Sequence, residues 1–137
     1  MTWIVDTCIV LDVLENDPKF GLASARLLQR LLPQGLGISP VTMVELSPAF
    51  NGDVVEQKRF LDQAGIVYSE GWTAADTESA HSAWNSYVQV KRAGTRIKRP
   101  IADILIGAFA NNRTGLVTRN VADFEPWFPK LDLRKPD

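Results

Sequence analysis

Short apolar runs alternate with helical periodicity along this chain, and that alternation leaves few architectures open. Runs at 2–6, 36–38, 66–68 and 116–118 read as strands, with a fifth at 131–133 on an edge. Helical stretches separate them at about 7–16, 21–33, 39–46, 54–64, 73–91 and 100–112. Strands that alternate with helices predict an α/β layer fold: a central, mostly parallel, twisted sheet of four to five strands with helices on both faces. The 137 residues suit one domain, 1–137, with a real core. Local signals agree. Ser39-Pro40 reads as an N-cap with proline at the first helical position. In the second helix, Leu22, Ala25, Leu28, Leu31 and Leu32 make the apolar face. In the last helix the stripe is Ile101, Ile104, Leu105 and Ala108.

Against that pattern, four carboxylates stand out. Asp6 ends the apolar run Trp3-Ile4-Val5, and Glu45 interrupts V-T-M-V-E-L. Asp103 lies within P-I-A-D-I-L-I-G-A-F-A, and Asp123 precedes Phe124 in T-R-N-V-A-D-F. A carboxylate on a buried segment costs free energy unless it is paired or binds a cation. Asp6 and the segment Thr118–Asp123 follow strand ends, while Asp103 falls in the first turns of its helix and Glu45 about one turn further into its own. In open α/β sheets the binding crevice lies beyond the carboxyl ends of the strands, and helix N-termini favour anions, so the four are expected to converge. Asp103 falls off its helix stripe, on a face where Gly107 and Ala110 leave room for a close approach. Converging carboxylates cannot all stay ionised without a counter-charge, and a hard divalent cation with oxygen ligands supplies it. Each acid also has a plainer reading: a hydrogen bond at a helix start for Asp6, a buried pair with an arginine for Glu45, a helix-dipole interaction for Asp103, and a capping arrangement between Asn120 and Asp123. Asp12, Glu15 and Asp17 read as solvent-facing charges.

Other chemistries find little support. His81 is the single histidine, which removes a two-histidine ribonuclease mechanism, and with Cys8, the single cysteine, it makes a poor zinc set. There is no internal disulfide to form, and Cys8 reads as a packed thiol. Neither a G-x-S-x-G elbow, a P-loop nor a complete dinucleotide-binding glycine loop is present. No apolar run approaches membrane-spanning length, and the start of the chain does not read as a signal peptide, so the expected compartment is the cytoplasm. Net charge is −1, yet Lys91, Arg92, Arg96, Lys98 and Arg99 place +5 in one short strip. That strip reads either as a path for a polyanion or as the basic end of a helix.

I-V-D-T, S-P-V-T-M-V-E-L, R-P-I-A-D-I-L-I-G-A-F-A and L-V-T-R-N-V-A-D-F, in this order and spacing, resemble the PIN-domain family, specifically VapC-like toxins of type II toxin–antitoxin pairs. The resemblance covers essentially the whole chain. It implies an endoribonuclease dependent on Mg²⁺ or Mn²⁺, a homodimer, and a cognate antitoxin with a DNA-binding module. Asp6, Glu45 and Asp103 fall on the family's first three metal-site acids, and Thr118 on its supporting hydroxyl. For the fourth acid the resemblance leaves two positions. Many relatives carry Asp where this chain has Asn120, and others carry Asn there with an acid three residues later, as Asp123 is here. Asp123 is favoured, with Asn120 helping to hold a metal-bound water. Two positions depart from the pattern: Cys8 stands where relatives often carry Asn or Ser, and Pro48 is unusual after the E-L pair. The competing readings are a degraded PIN-like module that only binds RNA or a partner, and a Mg²⁺-dependent phosphoacceptor or phosphatase domain. The latter wants acids directly after strand one or in a D-x-D pattern, where this chain has Thr7 and Cys8.

Overall fold

A computed structural model describes residues 2–92 and 101–137. Five strands form one sheet in the order β3-β2-β1-β4-β5: β1 (Trp3–Val5), β2 (Leu36–Gly37), β3 (Ile66–Val67), β4 (Gly115–Val117) and β5 (Leu133–Arg134). Every pairing is parallel, with Trp3 opposite both Leu36 and Gly115. Six α-helices are described: α1 (Thr7–Leu14), α2 (Gly21–Leu31), α3 (Pro40–Glu45), α4 (Val54–Ala64), α5 (Ala74–Arg92) and α6 (Ile101–Asn111).

Strand β1 is central, and its side chains explain why its run is apolar throughout. Trp3 and Val5 enter a core shared with α1, α2 and α4, whereas Ile4 enters one shared with α6 and Phe124. Successive strand side chains point to opposite faces, so a strand covered on both faces must be hydrophobic at each position. A third cluster, Ala80, Ala83, Ile104, Ala108 and Phe128, joins α5 to α6.

The helix boundaries follow local chemistry. Ser39 is extended and its hydroxyl accepts the Thr42 amide, with Pro40 opening α3. Asp53 caps α4, and Gly65, at φ 74°, ends it by turning left-handed and returning its N–H to Leu61 and Asp62. Among the described residues, no helix is long and apolar enough to cross a membrane.

Tertiary packing corrects several expectations. The buried face of α2 is Ser24, Leu27, Leu28 and Leu31, while Leu22 is 64% exposed. The helix is turned so that Ser24 reaches Asp12, which is buried rather than solvent-facing. In α6, Ile101 is exposed and Ile106 and Phe109 are buried instead. The space beside Gly107 is taken by the Phe128 ring, since a Cβ there would lie 2.3 Å from Phe128 Cε2. Gly107→Ala is therefore expected to destabilise the fold by about 1–3 kcal/mol through overpacking, read as a lower urea midpoint at unchanged slope. An unchanged midpoint would show that the ring moves aside freely.

The basic strip enters the described residues only at its start. Lys91 and Arg92 are the last two residues of α5. Arg96, Lys98 and Arg99 lie outside the described residues, as does the predicted start of the last helix at Pro100.

Candidate metal-binding and catalytic site

The strand order changes direction at β1, whose neighbours are β2 and β4. The crevice of such a sheet opens beyond the carboxyl ends of those strands. Asp6 follows β1 directly and Thr118 follows β4 directly. The Asp6 amide donates to the Val117 carbonyl at 2.9 Å, so the two strand exits stay side by side.

Asp6 also caps α1. Its Oδ1 accepts the Thr7 amide at 2.8 Å and its Oδ2 accepts the Thr118 hydroxyl at 2.7 Å. The Cys8 thiol reaches the same Oδ2 at 3.5 Å. The capping role foreseen for Asp6 is therefore real, yet it does not offset the environment. Burial pushes the Asp6 carboxyl above its ordinary range despite hydrogen bonds from Thr118, Cys8 and Thr7, and the negative charge of Glu45 adds to the shift. Burial likewise pushes the Cys8 thiol up to about 11, so in the metal-free chain it is a protonated thiol at neutral pH.

Asp103 sits in the first turn of α6, half-buried. Burial, followed by the charges of Asp6, Asp123 and Glu45, pushes it up to about 6. All three other acids act on this one carboxyl, which places the four in a common electrostatic field.

Glu45 differs from its predicted setting. It is the last residue of a six-residue helix, and it is exposed. The arginine partner considered for it is replaced by the Thr7 hydroxyl, which donates to Glu45 Oε1 at 2.6 Å and lies 3.0 Å from Thr42 Oγ1. Asp123 is exposed as well and closes a short 3-10 turn, Val121–Asp123. Asn120 precedes that turn without a side-chain capping bond, so the predicted capping pair is not formed. The Asn120 amide instead donates to Thr118 Oγ1 at 3.0 Å. Asp6 is thus buried and Asp103 half-buried, while Glu45 and Asp123 are exposed.

Carboxylates, hydroxyls and an amide make an oxygen-rich donor set, which suits a hard cation of the Mg²⁺ or Mn²⁺ kind. The mutual repulsion at Asp103 is the electrostatic counterpart of that fit, because a cation would relieve it. Among the described residues no three His, Cys, Asp or Glu side chains come together as a metal-binding group, so what links the four acids here is their electrostatic influence on Asp103. Asp6, Glu45, Asp103 and Asp123 are the groups that would hold an ion. His81 is exposed on α5.

Sequence reasoning missed two parts of this neighbourhood. Thr7 stood in the I-V-D-T motif without a role, and it is the group that holds Glu45. Arg119 lies between Thr118 and Asn120 and pairs with Asp12, a contact spanning 107 positions that no local pattern announces.

No family model matches the chain, and no curated protein matches it. Solved structures do. A chain of the VapBC2 complex from Rickettsia felis, bound to a DNA fragment from its promoter, aligns at TM-score 0.71 with 20% identity over 100% of both chains. A chain of VapBC-1 from nontypeable Haemophilus influenzae aligns at TM-score 0.68 with 21% identity over 98% of both. Likeness at this identity is a likeness of fold: the chain shares the fold of chains found in these two VapBC complexes.

Proposed function

We propose that this chain is the toxin of a toxin–antitoxin pair and that it cleaves RNA as a Mg²⁺- or Mn²⁺-dependent endoribonuclease. The observation that carries this reading is the buried Asp6 carboxylate at the carboxyl end of the central strand, held by Thr118 and Thr7, with Asp103 raised to about 6 by burial and by the charges of Asp6, Asp123 and Glu45. Such a pocket repels the phosphates of a nucleic acid unless a cation intervenes. When bound, a divalent ion supplies Lewis-acid stabilisation of a phosphoryl group and activation of a water.

The chain's own residues then have separate tasks. Thr118 holds the Asp6 carboxylate in one orientation, with the Thr7 amide fixing its other oxygen. The Thr7 hydroxyl holds Glu45 over the same opening. Asp123 and Asn120 border the exposed side, from the turn that follows β4. Hydrolysis would leave a 5′-phosphate and a 3′-hydroxyl. The basic strip from Lys91 to Arg99 is the proposed approach path for the RNA backbone.

The partners follow from the same reading: a cognate antitoxin with a DNA-binding module, a second copy of the chain, and an RNA substrate in the cytoplasm. Support for the antitoxin comes from the fold neighbours, which are VapBC complexes, one of them bound to promoter DNA.

The test is cleavage of total RNA by the purified chain, with products mapped at both ends. Cleavage is expected with Mg²⁺ or Mn²⁺ and is lost with a chelator. Asp6→Asn is expected to stay folded and to lose cleavage completely. Chelator-insensitive cleavage, or cleavage retained by the variant, would overturn the assignment. A folded, metal-supplied parent that binds RNA without cutting it would favour the degraded binding module.

A further inference from the structure

The residue between Thr118 and Asn120 is engaged with Asp12 and Phe20, outside the four acids. Arg119 donates from Nε to Asp12 Oδ2 at 2.7 Å and from Nη2 to Asp12 Oδ1 at 3.0 Å, a bidentate fork on one carboxylate. Asp12 is 3% exposed and also accepts the Ser24 hydroxyl at 2.9 Å. The Arg119 guanidinium lies over the Phe20 ring, 4.0 Å from its centroid. The Phe20 backbone N–H donates in turn to Asp17 Oδ1 at 2.8 Å.

Buried ion pairs are seldom the cheapest source of stability, since apolar residues of similar volume fill such sites as well or better. What this pair adds is geometry. The exit of β4 already touches the start of α1 through Thr118 and Asp6. Arg119 makes a second attachment to the same helix, six residues further along at Asp12. One attachment leaves a loop free to pivot, whereas two attachments on one rigid helix fix its direction. The loop beyond them continues the chain of bonds, from the Asn120 amide to Thr118 Oγ1 and from the Asp123 amide to the Asn120 carbonyl.

We propose that Arg119 and Asp12 are positioning residues, a two-point latch with Thr118–Asp6 that aims Asn120 and Asp123 at Asp6 and Asp103. The inference rests on the proposed nuclease site for its consequence in catalysis, but the latch itself is a property of the metal-free chain. Neither residue touches substrate.

The experiment compares the parent with two variants. One replaces the polar cluster by apolar groups, Asp12→Leu and Arg119→Met, with Ser24→Ala because the buried Ser24 hydroxyl would lose its acceptor. The other, Arg119→Lys, keeps the charge without the fork. Amide hydrogen exchange is read in the metal-free proteins. Exchange at Asn120 should quicken about tenfold in the apolar variant, while the Asp6 amide, bonded to Val117, keeps its protection. In the RNA assay kcat should fall about 10- to 100-fold with KM nearly unchanged, since misplacement costs transition-state geometry rather than binding. Arg119→Lys should recover part of both effects. A folded apolar variant with parental exchange at Asn120, or with parental kcat, overturns the latch. If the parent does not cleave RNA at all, the nuclease reading fails, and the exchange data still decide whether the latch exists.

Discussion

Asp103→Asn is expected to abolish RNA cleavage and, at the same time, to raise the thermal stability of the metal-free protein at neutral pH. Both effects have one cause. Burial and three neighbouring carboxylates lift the folded-state pKa of Asp103 from 3.8 to about 6. A raised folded pKa means that the folded state binds the proton more tightly than the unfolded state does. The stabilisation is complete below about 3.8 and is lost as pH rises through about 6. At neutral pH the ionised acid therefore works against the metal-free fold. Asparagine removes that charge, and after allowance for solvent screening and the lost helix-dipole interaction the gain is about 1–2 kcal/mol. A calorimetric scan of parent and variant in chelator gives the stability, and RNA-end mapping gives the activity. Added Mg²⁺ should raise the parent's midpoint and leave the variant nearly unmoved. A variant less stable than the parent at neutral pH would remove the electrostatic account of this pocket.

Asp76→Ala carries the largest expected loss of stability. Asp76 has no exposed surface and sits in the first turn of α5. Its carboxylate accepts the Thr73 amide at 2.9 Å, Asn112 Nδ2 at 3.0 Å and Arg113 Nη1 at 3.0 Å. Arg113 also pairs with Glu70 and lies 3.5 Å over the Phe109 ring, so the group fastens the start of α5 to the end of α6. Burial works to raise the Asp76 carboxyl, but the hydrogen bonds from Arg113, Thr73 and Asn112 outweigh it and hold the acid below its ordinary range. Its contribution is present at neutral pH and is lost on acidification, opposite in sign to that of Asp103. Removing one partner of a buried pair strands the other, at a cost of roughly 3–5 kcal/mol, or a midpoint lower by roughly 10–17 °C. The cluster lies at the amino-terminal end of β4, away from Thr118 and the acids. At temperatures where Asp76→Ala remains folded, kcat should match the parent. A small loss of stability would show that Glu70 alone suffices to neutralise Arg113.

These two aspartates differ in how much of their role can be read from the chain. Asp103 breaks an apolar helical pattern near a helix start, a local signal. Asp76 sits in an ordinary polar helix opening, and its partners are 36 and 37 positions away. Asp12 shows the same limit more sharply. It reads as a solvent-facing charge until α2 and Arg119 close over it. The space beside Gly107 reads as room for a close approach to Asp103, and the Phe128 ring fills it. Glu45 and Asp123 read as lying on buried segments, and both are exposed at the ends of short helices.

By itself the sequence determined the alternation of strands and helices, the parallel sheet it implies, and the strand-end and helix-start positions of Asp6 and Asp103. Those features obey rules that act within a few residues: side-chain period, capping chemistry and the conformational limits of proline and glycine. Tertiary structure alone decided which carboxylates share a field, which charge is neutralised in the core, and which side chains hold the acids in place. Pairings such as Thr118 with Asp6 and Arg119 with Asp12 join positions more than a hundred residues apart. They exist only once β1 and β4 lie side by side, when the desolvation of packing makes each buried polar group find a partner.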